Sequence, residues 1–351
     1  MTPFVELCPV RTEAVPIPSE PLDRPVNVMR AVVMQRVGGP EVLEVGRVPV
    51  PRVKAGEVLV ELHARGVNFS ETEVRRARYR PTPVPWVLGN EGAGVVVALG
   101  PDVDPAWRGH RVAFHAESPK TSGTYADFAT CPVSELLPLP DGLDDVTAAA
   151  IPQQGLTAWF LVHRAARVRA GQTVLIHAAA GGVGLLAVQL ARRAGARVLG
   201  TISGEHKAPA VEEAGGEPLL YGDDLVERVR ERTGGRGVDL VLDSVGLPTQ
   251  ATSMAALGAF GELVYFGDAG GLPAPVYPDV LYRRSLKVSA FRLDTSHDPA
   301  ALARARHELV SGALDGTLRF RIDRTLPLAQ ASEAHRLLES RTTIGKIVLT
   351  H

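Results

Sequence analysis

The chain has 351 residues, 45% of them hydrophobic and 22% charged. That length exceeds the usual single domain and that composition suits an ordinary folded core, so two domains are expected and a disordered chain is excluded. A formal net charge of -1 gives no basic field for nucleic acid or anionic lipid, so the expected partners are a small-molecule substrate or further copies of the chain, with no nucleic acid and no membrane.

The N-terminal residues 1–28 carry six prolines, at positions 3, 9, 16, 18, 21 and 25, and read as a Pro-rich, loosely ordered leader. Cys8 and Cys131 are the two cysteines, too few for a disulfide framework or a cysteine metal site. No apolar run reaches membrane-spanning length and the N-terminus lacks a secretory pattern, so a reducing, cytoplasmic location is expected. After the leader come short β-like runs rich in glycine and proline, at 29–35, 42–50, 57–67, 94–99, 110–115 and 125–131, which predict a small barrel or sandwich. Near Asp141 the texture changes: a short helix is predicted from Asp144 or Asp145 and a longer one over 154–166.

The stretch from Thr173 to Lys207, TVLIHAAAGGVGLLAVQLARRAGARVLGTISGEHK, organises the second half. An apolar run at Val174, Leu175 and Ile176 precedes a small-residue turn, Ala178 to Gly184. Apolar positions then recur at Val183, Leu186, Ala187, Leu190, Ala191 and Ala194, one helical face, before a second strand at Val198 and Leu199. This is a strand, turn, helix, strand unit with right-handed crossover, half of a dinucleotide site. Gly181 and Gly184 let the backbone approach a pyrophosphate while the helix-start amides face the anion. Ala179 breaks the strict G-x-G-x-x-G pattern, and a bare crossover turn is the alternative. About 20 residues on, where an NAD site has an acid for the ribose hydroxyls, stands Ser203, followed by Lys207. A hydroxyl and a cation suit a 2′-phosphate, so NADPH is the expected cofactor; the alternative is that Lys207 and Glu205 are ordinary solvated charges.

Further crossover units follow, with strands at 219–220, 238–242, 263–266 and 286–289 and helices near 208–214, 225–233 and 249–257. The alternation predicts an α/β fold with a doubly wound parallel sheet. A helix at 299–311, a strand at 318–322, a helix at 329–339 and a strand at 347–349 end the chain, and this tail is expected to rejoin the N-terminal domain.

The segments GGPEVLEV (38–45), GEVLVELHARGVNFSET (56–72), GNEGAGVV (89–96), QGLTAWF (154–160), HAAAGGVGLLAVQLAR (177–192), GGRGVDLVLDSVG (234–246) and LESRTTIGKIVL (338–349), in this order and spacing, resemble the zinc-independent medium-chain dehydrogenase/reductases of quinone oxidoreductase (zeta-crystallin) and enoyl reductase type. The resemblance implies a GroES-like β-barrel domain from 29–152 and 292–351, with a Rossmann NADPH-binding domain at 153–291 inserted between. It also implies a cleft between them, and a homodimer. The leader lies outside it.

Where zinc-dependent relatives carry Cys or His ligands, the equivalent positions are Asn68, Asn90 and Gln154, and amides are poor ligands for catalytic zinc. His63, His115, His163 and His177 lack metal spacing and read as structural or surface histidines. A zinc alcohol dehydrogenase is therefore rejected, and no metal is expected. Without a Lewis acid to hold an alkoxide, hydride addition to an electron-poor double bond is the easier chemistry.

The resemblance makes Tyr79, in RRARYRP, the candidate proton donor, because a phenol donates while staying neutral; packing at the cleft edge is its alternative. It makes Asn68 a second catalytic candidate, bringing an amide to the nicotinamide ribose or the substrate carbonyl. Glu73 stands where many quinone reductases have an aromatic, which puts a quinone-stacking site in doubt, and reads as a solvated helical charge. The cofactor positions carried over are Thr157; Ala180, Gly181, Gly182, Val183 and Gly184; Ser203, Lys207 and Tyr221 at the 2′-phosphate; Ser244, Val245, Gly246, Phe266 and Gly267 at strand ends; and Phe291 and Arg341. The expected function is NADPH-dependent reduction of an activated C=C. A quinone oxidoreductase is the alternative within the class, and an NADPH-binding structural or regulatory protein with little turnover the alternative outside it.

Overall fold

A computed structural model describes residues 27–78, 82–116, 121–294 and 297–351. Its strands run in three sheets. The N-terminal part holds β1 (Val28–Met34), β2 (Leu43–Pro49), β3 (Glu57–Val67), β4 (Trp86–Val87), β5 (Glu91–Leu99), β6 (Arg111–His115), β7 (Phe128–Pro132) and β8 (Leu136–Pro138). The middle of the chain supplies β9 (Thr173–Ile176), β10 (Arg197–Ile202), β11 (Glu217–Leu220), β12 (Val238–Asp243), β13 (Leu257–Tyr265) and β14 (Lys287–Ala290), and the tail adds β15 (Ile322–Pro327) and β16 (Lys346–Thr350).

The six middle strands form a sheet in the order β11-β10-β9-β12-β13-β14, every neighbour parallel. All four residues of β9 are buried, as expected of a central strand covered on both faces by crossover helices. The order reverses beside β9, so the carboxyl ends of β9 and β12 diverge there and open the crevice in which such sheets bind ligands.

The remaining strands form a seven-stranded sheet, β15-β16-β3-β5-β6-β8 with β7 also on β3, and a three-stranded one, β2-β1-β4. Its spine is β3, an 11-residue strand that pairs with β5, β7 and β16. The tail joins this sheet because β16 lies antiparallel to β3. Together these give a GroES-like domain and a Rossmann-like parallel sheet. The GroES-like and Rossmann-like parts share a core, in which Leu309 and Leu318 pack with residues of both, including Ala93 and Leu186.

Two expectations differ from the structure. The tail strand begins at Ile322 and runs to Pro327, because Leu318 is drawn off to pack on Gly312, where an added Cβ would lie 2.8 Å from its side chain. The long helix expected over 154–166 is present and begins earlier, over 151–165, but it is α-helical only over Leu156–Phe160, with a wider π-helical turn on each side. Among the described residues no helix is long and apolar enough to cross a membrane.

Candidate active site

The end of β9 leads into the glycine turn and then the helix Gly182–Arg193. The sharp bend that the motif's first glycine would make is made by Ala178, which adopts φ +50, a left-handed conformation uncommon outside glycine. Its amide is held by Tyr221 Oη at 3.1 Å and Thr201 Oγ1 at 3.2 Å. Gly184 is required by close approach: a Cβ there would lie 2.5 Å from the Ala178 carbonyl oxygen. The helix therefore starts tight against the strand, and its first amides, which have no partner one turn back, open onto the cleft as an anion site.

That cleft, about 1190 Å³, runs between the two parts of the molecule. Of the residues expected to hold the cofactor, Asn68, Thr157, Ala180, Gly181, Gly182, Val183, Gly184, Ser203, Lys207, Tyr221, Ser244, Val245, Phe266, Gly267, Phe291 and Arg341 all line it. Gly246 does not. It makes the turn before the helix Leu247–Ala256 with φ +89, and its amide donates to Asp243 Oδ1 at 3.0 Å. Tyr79 lies outside the described residues.

One end of the cleft is cationic. Lys207 is only 7% exposed, which removes the reading of it as a solvated charge; its Nζ donates to the Arg341 carbonyl at 2.6 Å, and burial draws its pKa down. Glu205 stands exposed and outside the lining, so no carboxylate at the end of β10 competes for a ribose hydroxyl. Tyr221 stacks on His177, ring centroids 5.7 Å apart, so the phenol is aimed by a buried ring. Serine, lysine, tyrosine and arginine together suit a phosphate dianion, and the donor set fits NADPH.

The other end is walled by amides. Asn68, Asn90 and Gln154 all line it, and among the described residues no group of three His, Cys, Asp or Glu is placed to hold a metal. Asn68 is fixed by a buried ion pair: Lys346 Nζ donates to Asn68 Oδ1 at 2.6 Å and also bonds Glu91 Oε1, while Asn68 Nδ2 donates to the same Glu91 oxygen at 2.8 Å. One Nδ2 hydrogen remains for a ligand. Glu91 Oε2 accepts from the Gln153 amide at 2.8 Å, tying this wall to the helix start. Of the histidines read as structural or surface, His115 lines the cleft and His177 is buried behind Tyr221.

Glu73 departs from its expected solvation. It is 1% exposed and pairs with Arg78 Nη1 at 2.5 Å, because the chain after the helix Phe69–Arg75 folds back over it, and it does not line the cleft. Arg78 Nη2 in turn donates to the Asp268 carbonyl at 3.2 Å, and Arg341 Nη2 to the neighbouring Ala269 carbonyl at 3.4 Å. Two arginines from the GroES-like side thus reach one loop of the Rossmann side, and Gly345 N donates across to Ala180 O at 2.9 Å.

Glu71, which also lines the cleft, and Arg75, Tyr125, His335 and Lys346 behind it have no place in the sequence reading, and all are buried. Only Glu71 had a local signal, the Asn68-x-x-Glu71 spacing of a capping box; its Oε2 accepts from the Asn68 amide at 2.9 Å. The others come from distant segments.

Two family models match the chain, an alcohol dehydrogenase GroES-like domain over residues 54–141 and a zinc-binding dehydrogenase over 182–306. The quinone oxidoreductase of Pseudomonas aeruginosa is 37% identical over 316 residues, covering 89% of this chain and 96% of that one. The 2-haloacrylate reductase of a Burkholderia species is 35% identical over 332 residues, covering 92% and 99%. The crystal structure of Escherichia coli quinone oxidoreductase complexed with NADPH superposes with a TM-score of 0.84 at 33% identity, covering 92% of this chain and all of that one.

Proposed function

The chain belongs to the medium-chain dehydrogenase/reductase family, in its zinc-independent quinone oxidoreductase (zeta-crystallin) type, and from that premise we propose that it is an NADPH-dependent reductase of an activated carbon–carbon double bond, an enone or an enoyl thioester. The observation that carries the reading is one cleft with a phosphate-type donor set, Ser203, the buried Lys207 and Tyr221, at one end and a wall of amides at the other. When bound, NADPH supplies the hydride.

The protein's own groups then bind and orient. The helix start at Gly182 and the cation at Lys207 hold the cofactor's phosphates. Asn68, clamped by Lys346 and Glu91, offers its remaining N–H to the substrate carbonyl, where negative charge grows as hydride arrives at the β-carbon. A fixed donor stabilises that charge without the reorganisation water would need. The proton for the α-carbon is assigned to the phenol of Tyr79. The relative named 2-haloacrylate reductase supports reduction of an activated double bond, and burial of Glu73 away from the cleft supports a site without quinone stacking at that position. The relatives named quinone oxidoreductase favour the second reading, hydride transfer to a quinone.

Incubating the purified protein with NADPH and a panel of enones, enoyl thioesters and quinones, and following nicotinamide absorbance, separates the two. Faster turnover of enones or enoyl thioesters supports the reading, faster turnover of quinones replaces it with the second, and tight NADPH binding with no turnover refutes both. In the same assay Tyr79→Phe slows reduction or scrambles product stereochemistry without changing NADPH affinity. An unchanged rate and product would remove Tyr79 from the mechanism.

A further inference from the structure

Glu71 is buried in the first turn of the helix Phe69–Arg75, 1% exposed, and its oxygens are a junction. Oε2 accepts from the Asn68 amide at 2.9 Å and from Tyr125 Oη at 2.6 Å; Oε1 accepts from the Asn90 amide at 3.0 Å. Asn68 follows β3 and Asn90 precedes β5, and both line the cleft. One carboxylate therefore fixes two separate pieces of the amide wall.

The row of side chains behind it has a direction. Arg75 Nη1 lies 3.1 Å from His335 Nδ1, and a guanidinium can only donate, so Nδ1 is the lone-pair nitrogen and the ring proton is on Nε2. His335 Nε2 lies 3.1 Å from Tyr125 Oη, so it donates to the tyrosine oxygen, and the tyrosine hydrogen goes to Glu71. Arg75 is itself paired with Glu339. Every bond in the row points hydrogen toward Glu71, which completes it only as an acceptor. A proton on Oε2 would face the Tyr125 hydrogen and the Asn68 amide, and one on Oε1 the Asn90 amide, so protonation at either oxygen sets a new donor against an existing one in a buried place.

We propose that Glu71 is a positioning residue whose ionised form holds Asn68 and Asn90 in the register that hydride transfer needs, and whose protonation releases them and slows the reaction. The inference rests on the reductase reading. The charged and titratable groups facing it are Lys346 from β16, Glu91 from β5, Tyr125 from the segment before β7, Arg75 from its own helix, and His335 and Glu339 from the helix Ala331–Glu339. Burial raises the Glu71 pKa to about 7, against the hydrogen bonds from Tyr125 and Asn68 and the Lys346 charge. Burial holds Tyr125 well above its ordinary value, and burial together with the charges of Arg75 and Arg76 draws His335 down to about 3. Both therefore stay neutral through the neutral range, while Glu71 loses its charge as pH falls through about 7.

The test is kcat and KM against pH for the whole protein, its Tyr125→Phe variant and its Glu71→Gln variant, with NADPH affinity and infrared spectra measured alongside. In the parent, kcat falls on the acid side near pH 7. Tyr125→Phe removes a donor to the carboxylate and moves that limb to higher pH. Glu71→Gln abolishes the limb and lowers kcat about tenfold, with NADPH affinity held. A limb that stays in place in Tyr125→Phe, or survives in Glu71→Gln, overturns the proposal. Should Glu71→Gln fail to fold, the shift in Tyr125→Phe decides alone. If no acceptor is turned over, the reductase reading fails separately and the infrared spectrum judges Glu71. A protonated-carboxyl band that titrates near pH 7 and shifts upward in Tyr125→Phe supports its switch of state, and a band that does not shift overturns it.

Discussion

Replacing Lys207 by alanine separates a cofactor-binding lysine from a structural one. In the protein the ammonium is 7% exposed and spends one of its three hydrogens on the Arg341 carbonyl, 2.6 Å away. Lys207 lines the cleft with Ser203 and Tyr221, so on the proposed reading its two remaining hydrogens are those that would bind a 2′-phosphate. A hydrogen bond to a charged group is worth about 1.5–3 kcal/mol, so losing the phosphate contact weakens NADPH roughly ten- to 150-fold. Loss of the Arg341 tether also loosens the 341–345 segment that rests on the glycine turn, but that cost falls on NADPH and NADH alike. The ratio of the two affinities therefore isolates the phosphate. Fluorescence titration of both cofactors with the parent and Lys207→Ala measures it, with the preference for NADPH shrinking by that factor. Equal losses for both cofactors would refute a phosphate role and leave Lys207 as a tether only.

Two further outcomes follow from buried and exposed groups elsewhere. Lys346→Met leaves Glu91 buried without its cation, which costs about 3–5 kcal/mol; the urea midpoint of unfolding falls accordingly, and adding Glu91→Gln recovers much of it, whereas a midpoint that ignores Lys346→Met would mean the pair is not buried in solution. A homodimer is proposed through the open edge strand β14, beside which Phe260, Tyr277 and Tyr282 stand 78%, 66% and 77% exposed, more apolar surface than a lone molecule needs. Sedimentation velocity of Phe260→Asp with Tyr282→Asp should then give monomer from a dimeric parent, and a dimer that survives both changes lies on another surface.

The parts of the fold legible in the sequence are those whose signal is local. β3 is legible from Glu57 to Val67 as a β-like run, continuous apolar at Val58 to Val60 and alternating after it, and the helix Gly182–Arg193 by its 3.6-residue stripe. The strand near 318–322 was misplaced because Leu318 reads as β-forming by type, while the space over Gly312 in the preceding helix takes it into the core. Likewise Ala178 in a left-handed conformation has no signal of its own; the amide bonds to Tyr221 and Thr201 that hold it there come from β10 and from the residue after β11.

The candidate site divides along the same line. Residues that meet a ligand through backbone geometry, Gly181 to Gly184, sit in one turn and show in its spacing. Residues that set the charge of the amide wall do not, because Arg75 and His335 are 260 positions apart and Asn68 and Lys346 are 278 apart. Glu73 shows the cost of judging a charge by type alone: on a helix surface it would be solvated, but here Arg78 folds back onto it and continues to the Asp268 carbonyl on the far side of the cleft. The acid at position 73 thus anchors a link between the two halves of the molecule. What shapes the substrate end is therefore the packing of buried charges behind the lining, with Glu71 and Glu91 as the points where that packing meets the amides the substrate would touch.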